Sequence, residues 1–329
     1  MTPKRIVIIT DGSSKIRGLV PNGIKVGRAF ARLGHDVHRI DHSGISREAL
    51  AEADLILSFG TVIRANAILA TNTITSRARV GLGGYFKRIA ELKDKDAVSA
   101  LWYFDMCNPG QKHSPYKYAA VRHAARDLDW LFTTDHSYPW ERIARHYMFL
   151  TQGVEPADFA WDVRPPEPRH RDVIFTGGAD KFFDYRQQLI EVLQNRFTVA
   201  LYGRGHGHRI FGPEFFAAYQ RARVALVPEP PAEARDHYWS NRIYLAAATG
   251  TPCVVGYVPG IEDYYEDGKE VVFYRTRQEL VHAVAALVAD PARRKELGDA
   301  ARKRTLAEHT YDARCETMLG AIFGGEATH

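Results

Sequence analysis

Ile6-Val7-Ile8-Ile9 is a continuous apolar run that leads into the loop Asp11-Gly12-Ser13-Ser14. A run without polar alternation is typical of a strand that is buried on both faces of a parallel sheet. The same pattern returns at Val173-Ile174-Phe175, which Thr176-Gly177-Gly178 follows. Helical stretches alternate with such runs in both halves of the chain, and this alternation predicts parallel βαβ units. The sequence therefore predicts an α/β protein with two doubly wound domains in series.

The domain boundary is predicted at a proline-rich segment. Pro165-Pro166-Glu167-Pro168 interrupts the strand and helix rhythm, and prolines flanked by charges are typical of linkers. We therefore predict an N-terminal Rossmann-like domain over residues 1–168 and a second Rossmann-like domain over residues 169–308. An amphipathic helix follows the second domain, and we expect residues 309–329 to pack back on the first domain.

Composition limits the classes of function. Lys and Arg exceed Asp and Glu by 44 − 39 = 5, a surplus that suits a phosphate-bearing ligand and permits a nucleic-acid partner. No segment approaches the roughly 20 apolar residues that span a bilayer, and the first apolar run is too short for a signal peptide. We therefore expect a cytoplasmic chain without a membrane span. The three cysteines lie far apart, and His206 and His208 lack a nearby acidic third ligand, so we predict no metal site.

Strand ends in the second half combine glycine with arginine. Ligands of open α/β sheets bind at the carboxyl ends of the strands, and a guanidinium group matches pyrophosphate oxygens with two parallel hydrogen bonds. These residues therefore predict a phosphate site. Its predicted members are Gly177 and Gly178 with Arg186, Gly203 with Arg204, and Ser240 and Asn241 with Arg242.

The first half offers a second glycine-containing loop. Gly12 and Ser13 follow the first strand, and Asn22 and Gly23 open the first helix. Backbone N–H groups at a helix N-terminus suit an anion, so we predict an acceptor or phosphate loop here, with an ordinary flexible βα loop as the alternative. The chain carries neither a GxGxxG nor a GxxxxGK motif, which disfavours a dinucleotide enzyme or a nucleoside triphosphatase.

Taken as a series, the motifs of the second half resemble the CgeB-like (spore maturation) group of GT-B glycosyltransferases. The matching segments are residues 173–178 with Arg186, 202–205, 240–244, 248–252 and 266–271, and 309–311 with Arg314. The resemblance implies two Rossmann-like domains that face a central cleft, with a C-terminal helix that crosses back to the first domain. It also implies that the second domain binds a nucleotide-diphosphate sugar, with UDP as the favoured nucleotide. The first domain then binds a hydroxyl acceptor, and no metal ion or other cofactor is required.

The sequence departs from that pattern at Leu245. Many retaining relatives have a glutamate at this point of the helix, where it holds the donor ribose. We therefore expect Asn241 or Glu262 to bind the donor ribose instead. Whether transfer retains or inverts the sugar configuration stays open. The alternative is a catalytically silent protein of this fold that binds a nucleotide, a glycan or DNA.

Candidate catalytic bases are acidic or imidazole groups at strand ends of the first domain. Asp105 follows the apolar segment 102–104, Asp11 follows the first strand, and His136 lies beside Asp135 after another strand. A carboxylate in such a position also serves as a turn former, so this reading stays open for each acid.

The acceptor is predicted as a glycan or a hydroxymethylated pyrimidine in phage DNA, which would put the enzyme in the cytoplasm of an infected host. The segment 112–126 mixes Lys, Arg, His and Tyr, and such a stretch suits duplex DNA through phosphate contacts and stacking. Further cations of the same half are Arg64, Arg77, Arg79, Lys87 and Arg88. Anionic glycans suit this charge equally well, and a solvated helix start explains the segment without any partner.

Overall fold

The computed structural model divides into two units, and each is described by itself. The first unit comprises residues 1–152 together with 314–329, and the second comprises residues 153–313. The structure describes residues 2–10, 20–59, 77–106, 115–160, 170–178, 184–229 and 237–324, with the backbone alone for residues 77–83, 115, 116 and 184.

The first unit is built on a six-stranded parallel sheet with the strand order β2-β1-β3-β4-β5-β6. Its strands are β1 (Arg5–Thr10), β2 (Asp36–Asp41), β3 (Leu55–Phe59), β4 (Val98–Tyr103), β5 (Trp130–Thr133) and β6 (His146–Phe149). Its helices are α1 (Asn22–Arg32), α2 (Arg47–Leu50), α3 (Arg77–Leu92) and α4 (Pro115–Asp127).

The second unit is built on a five-stranded parallel sheet with the strand order β11-β10-β9-β7-β8. Its strands are β7 (Arg171–Thr176), β8 (Val199–Tyr202), β9 (Ala222–Val227), β10 (Cys253–Gly256) and β11 (Val272–Tyr274). Its helices are α5 (Asp184–Gln194), α6 (Gly212–Gln220), α7 (Arg242–Ala248), α8 (Arg277–Ala289) and α9 (Pro291–Glu308), and α10 (Tyr311–Phe323) follows them.

The apolar runs that predict strands are buried on both faces of the sheets. Ile6, Val7, Ile8 and Ile9 are fully buried although successive side chains of a strand point to opposite faces. Such a strand needs helices on both sides of its sheet, which is the arrangement that βαβ crossovers produce. The two all-parallel sheets confirm the predicted α/β class.

The C-terminal helix α10 is divided between the two units. It begins at Tyr311 in the second unit, and its residues from Arg314 onward belong to the first unit. There Nε of Arg314 donates to the carbonyl oxygen of Thr151 (3.1 Å), and Nζ of Lys4 lies 4.6 Å from the centre of the Phe323 ring. The predicted boundary at residue 168 lies outside the described residues, and the division of the described chain falls between Gln152 and Gly153.

The starts of α8 and α9 in the second unit are capped by side chains. Oγ1 of Thr276 accepts from the backbone N–H of Glu279, and the Glu279 carboxylate accepts from the backbone N–H of Arg275. This reciprocal pair satisfies two otherwise unpaired donors at the start of α8. Asp290 caps α9 in the same way, because its carboxylate accepts from the backbone N–H of Arg293 (2.9 Å). Among the described residues, no helix combines the length and the apolar character that crossing a membrane demands.

Two helix glycines provide a matched test of packing in the second unit and the C-terminal helix. A Cβ at Gly298 in α9 would collide with the carbonyl oxygen of Gly250, whereas a Cβ at Gly320 in α10 meets nothing within 4 Å. We expect Gly298→Ala to lower the free energy of unfolding by about 1–3 kcal/mol through overpacking. Gly320→Ala should raise it by about 0.5–1 kcal/mol, because alanine is the better helix former. Chemical denaturation of both variants measures the difference, and equal effects of the two changes would contradict the packing of α9 on Gly250.

Candidate active site

The strand order of the second sheet selects one place for a ligand. The chain runs from β7 to β8 on one side and continues with β9 on the other side of β7, so β7 and β9 are neighbours. Open α/β sheets bind ligands at such a switch of strand order, outside the carboxyl ends of the strands. The residues that leave these two strands are Thr176-Gly177-Gly178 and Pro228-Glu229. In the first sheet the corresponding switch lies between β1 and β3, and residues 11–19 and 60–76, which follow these strands, lie outside the described residues.

Arg242 reaches this switch point from the first residue of α7. Its Nε donates to the carbonyl oxygen of Thr176 (2.6 Å), and its Nη1 donates to Oγ of Ser240 (2.9 Å). The guanidinium carbon lies 5.4 Å from the centre of the Phe175 ring. Burial lowers the pKa of the guanidinium, and the positive charge of Arg186 adds to this effect. Arg242 is therefore a partly buried cation, held by these two hydrogen bonds at the carboxyl end of β7.

Gly177 leaves room for that cation. An ideal Cβ at Gly177 would lie 2.7 Å from Nη2 of Arg242, and the φ of +152° disfavours any other residue. Within the described residues, the hydrogen bonds of this guanidinium are made by Nε and Nη1, so Nη2 is available to an anion above the glycine. A Cβ at Gly203, after β8, would collide with the carbonyl oxygen of Gly177. The two predicted glycines thus bring the ends of β7 and β8 together.

Arg186 adds a second cation to the same loop. It lies in α5 with 8% of its surface exposed, and its Nη1 donates to the carbonyl oxygen of Gly178 (3.2 Å). Its Nε donates to the hydroxyl of Tyr185 (2.9 Å). The structure thus brings together Gly177, Gly178, Arg186, Ser240 and Arg242 from the predicted site.

Glu229 belongs to this group, although the sequence does not predict it. The side chain follows β9, is 4% exposed, and its Oε1 accepts from both the backbone N–H (3.1 Å) and the hydroxyl (2.7 Å) of Ser240. Burial raises the pKa of the Glu229 carboxyl, while Arg242, Ser240 and Arg186 oppose that rise. An acid between two prolines after a strand looks like a turn residue in the sequence, so no local signal indicates its burial.

The remaining predicted donor residues lie elsewhere on the carboxyl edge. Arg204 is exposed in the loop after β8, and Asn241 precedes the first residue of α7 without capping it through its side chain. Glu262 is exposed in a short 3-10 turn after β10, where its Oε1 accepts from the hydroxyl of Tyr257 (2.9 Å). Arg275 lies over the ring of Tyr257 at 3.9 Å from its centre.

His206 and His208, in the loop after β8, differ in their environment. His208 is exposed and its Nε2 lies 2.8 Å from a carboxylate oxygen of Glu214. His206 packs edge-on against the Phe175 ring at 6.2 Å, and burial lowers the pKa of its imidazole. Within the described part of the chain, no group of three or more His, Cys, Asp or Glu side chains could hold a metal ion.

The first unit places Asp105 and Asn22 on one edge of its sheet. Asp105 follows β4 and forms an ion pair with Lys117 from α4, with 2.9 Å between Oδ2 and Nζ. Nδ2 of Asn22 donates to Gln152, which in turn donates to the carbonyl oxygen of Phe104, both over 3.4 Å. Gly23 packs so closely that a Cβ would lie 2.8 Å from Cγ2 of Thr10. The predicted Asp11, Gly12 and Ser13 lie outside the described residues.

His136 is exposed, and its neighbour Asp135 is fully buried. Nδ1 of His136 lies 3.0 Å from the hydroxyl of Tyr147, whose ring it stacks on. The Asp135 carboxylate accepts from the backbone N–H and the hydroxyl of Ser137. Asp135 therefore forms a turn, which is one of the two readings that the sequence leaves open.

The basic and aromatic segment of α4 is partly a core element. The hydroxyls of Tyr118 and Tyr138 lie 2.9 Å apart, and the Tyr118 ring also packs on buried Trp140. Tyr118 therefore packs within the first unit. The exposed cations of this helix are Arg122 and Arg126. Residues 112–114 and Arg64 lie outside the described residues, and Arg77 and Arg79 are described by their backbone alone.

Comparison with protein families gives a match over part of the chain. Residues 186–320 match a family model described as glycosyl transferase-like. No curated protein matches the chain. The CgeB-like subgroup stays a prediction.

Solved structures of similar fold cover almost the whole chain. An alpha-glucosyltransferase in complex with UDP and a 13-mer DNA containing a HMU base has a TM-score of 0.68, with 10% identity over 97% of this chain and 99% of that chain. Sucrose-phosphate synthase from Thermosynechococcus elongatus has a TM-score of 0.59, with 13% identity over 96% of this chain and 97% of that chain. Alr3699/HepE from Anabaena, in complex with UDP and glucose, has a TM-score of 0.55, with 13% identity over 98% and 100%. With its two parallel sheets, the chain adopts the GT-B fold of glycosyltransferases.

Proposed function

We propose that this protein is a glycosyltransferase that moves a sugar from a nucleotide-diphosphate sugar to a hydroxyl acceptor. The observation that carries the proposal is the position of Arg242, whose Nη2 lies against Gly177 at the switch point of the second sheet. A partly buried guanidinium with an N–H edge that faces an anion binds phosphate oxygens through charged hydrogen bonds, which are stronger than neutral ones. Arg186, held on the carbonyl oxygen of Gly178, supplies the second positive charge that a diphosphate needs.

The sequence match supports a nucleotide sugar as the donor. The matched residues 186–320 include Arg186, Gly203, Ser240 and Arg242. Two of the three similar structures named above are complexes with UDP, which favours UDP as the nucleotide here. Asn241 and Glu262 remain candidates for the ribose, since Leu245 provides no carboxylate in α7, and the exposed Arg204 remains a candidate for the diphosphate.

Asp105 is the proposed general base among the described residues. Its side chain is 38% exposed and therefore open to solvent, and Lys117 compensates its charge. A carboxylate that is reachable from solvent can accept a proton from an acceptor hydroxyl. His136 is exposed and is the alternative base, and Asp11 remains a candidate outside the described residues.

UDP binding tests the donor site. UDP at about 100 times its dissociation constant should stabilise the protein by roughly 2.7 kcal/mol, which a thermal-shift titration detects. Arg242→Gln should lower the UDP affinity by about 1.5–3 kcal/mol, because a charged hydrogen bond to phosphate is lost. The control is Arg223→Gln, which removes an arginine at the start of β9, where Nη1 lies 2.8 Å from Asp172.

The results distinguish an error in the assignment of Arg242 from an error in the proposed nucleotide-sugar site. Equal UDP affinities of Arg242→Gln and Arg223→Gln would contradict the role of Arg242. A wild-type chain that none of UDP, GDP or dTDP stabilises would contradict the nucleotide-sugar site itself. A catalytically silent binder is the second candidate, since Leu245 takes the place of an acid; it would bind UDP but neither transfer nor hydrolyse UDP-glucose.

For the acceptor, we propose a hydroxymethylated pyrimidine in duplex DNA, with an anionic glycan as the alternative. The support is the likeness over the full chain to an alpha-glucosyltransferase whose structure contains DNA, together with the net charge of +5. Arg122 and Arg126, both exposed on α4, are the described cations that we assign to phosphate contacts. An enzyme that modifies a base in duplex DNA must also bring that base out of the stack.

A mobility-shift titration at two salt concentrations tests the DNA proposal. The probe is a duplex that carries one 5-hydroxymethylated pyrimidine, with the unmodified duplex beside it. Affinity should fall steeply with salt, and Arg122→Gln with Arg126→Gln should reduce the logarithmic salt slope by about 0.9 for each phosphate that the protein no longer neutralises. The matched control removes two exposed cations of α9, Lys295 and Lys303. Undetectable binding at low salt, or the same slope in both double variants, would contradict the proposal.

A further inference from the structure

A chain of hydrogen bonds joins the ends of β9 and β7 through Ser240. Oε1 of Glu229 accepts from the Ser240 hydroxyl (2.7 Å), and the same hydroxyl oxygen accepts from Nη1 of Arg242 (2.9 Å). Nε of Arg242 then donates to the carbonyl oxygen of Thr176 (2.6 Å). Each group in this series of hydrogen bonds has its usual role: the carboxylate accepts, the hydroxyl both accepts and donates, and the guanidinium donates.

The carboxyl group is held firmly at its own end. Glu229 accepts a second hydrogen bond from the backbone N–H of Ser240 (3.1 Å), and a Cβ on Gly256 would lie 3.0 Å from the Glu229 nitrogen. The residue before Ser240 is anchored as well, since Nε1 of buried Trp239 donates to the hydroxyl of Tyr244 (2.8 Å). Ser240 is thereby held in place, and the Arg242 guanidinium is bonded to it through Nη1 and to Thr176 through Nε.

This arrangement is costly for stability. The side chain of Glu229 is 4% exposed, and its Oε2 has no hydrogen-bond partner among the described residues. A buried polar atom without a partner lowers the stability of a fold and calls for an explanation. The charged and titratable side chains that act on Glu229 are Arg242 and Arg186, and its own charge acts on Tyr185 and Tyr274. Opposite charge from two arginines partly offsets the burial of the carboxylate.

We propose that Glu229 is a positioning residue, which acts through Ser240 to hold the Arg242 guanidinium in the orientation that receives the donor diphosphate. The proposal rests on the donor site proposed above. It assigns to Glu229 no contact with the donor, since its carboxyl oxygens face Ser240 or are enclosed. A preorganised guanidinium binds better than a free one because less side-chain freedom is lost on binding.

A double-mutant cycle with UDP as the ligand tests this assignment. Ser240→Ala removes the hydroxyl that links the two charged groups, and we expect about a tenfold loss of UDP affinity, the size expected for one hydrogen bond to a charged group. Glu229→Leu should cause a similar loss. In an Arg242→Gln background, neither change should lower UDP affinity further, because the group that they position is gone.

The control is Ser99→Ala in the first unit. Oγ of Ser99 also donates to a carboxylate, that of Asp129, over 2.7 Å, so this change removes a hydrogen bond of the same length at another site. It should leave UDP affinity unchanged, whatever its effect on stability. Should Glu229→Leu not fold, Glu229→Gln takes its place, and a loss of UDP affinity is again expected in the wild-type but not in the Arg242→Gln background.

Two results overturn the proposal and a third concerns the donor site itself. A loss from Ser240→Ala that persists in the Arg242→Gln background shows that the serine does not act through Arg242. No loss from Ser240→Ala in the wild-type background shows that the guanidinium needs no such support. If the wild-type chain itself does not bind UDP by calorimetry, the proposed donor site fails, and the proposal that rests on it falls with it.

Discussion

The structure depends on the handedness of the connections between parallel strands. A crossover between parallel strands is right-handed in nearly all proteins, so the direction in which the chain leaves a strand decides which face its helix covers. In the second sheet the chain moves from β7 to β8 in one direction and reaches β9 on the opposite side of β7. The loops after β7 and β9 must then diverge to opposite faces. The gap between them is where backbone and side-chain groups can meet a ligand without an overlying connection.

The residues at this gap meet two requirements: the strand ends approach closely, and a positively charged group lies above them. Gly177 and Gly203 allow the ends of β7 and β8 to touch, and the space above Gly177 is occupied by the Arg242 guanidinium. A partly buried guanidinium is costly unless its N–H groups are bonded, and the carbonyl oxygen of Thr176 and the hydroxyl of Ser240 accept hydrogen bonds from two of its nitrogens. Among the described residues, Nη2 makes no further hydrogen bond, and the proposed phosphate site rests on this edge of the cation.

Much of this architecture could be predicted from the sequence because the strongest signals are local. The continuous apolar runs of β1 and β7 are buried on both faces, and glycines directly after β7 and β8 lie where a strand end requires them. Strand β6 gives no such signal, since its residues His146–Phe149 lie at the edge of the sheet and are all partly or fully exposed. An edge strand buries too little to require an apolar run.

Residues whose role depends on distant partners could not be predicted. Glu229 accepts a hydrogen bond from Ser240, eleven positions later in the chain, and nothing beside it in the sequence indicates that contact. Tyr118 looks like a stacking residue in a basic segment, yet its hydroxyl pairs with Tyr138, twenty positions away. Both cases involve side chains that the tertiary fold brings together, and a local pattern carries no information about them.

The assignment on which everything else rests is that of the donor site to the carboxyl edge of the second sheet. Hydrogen exchange of the whole chain with and without saturating UDP tests it at the level of individual segments, because bound ligand slows the opening of the backbone that it contacts. We predict slower exchange in peptides that cover residues 173–178 and 240–248, with little change in α3 and β5 of the first unit. Slower exchange that is confined to the first unit, with residues 173–178 and 240–248 unaffected, would contradict the assignment.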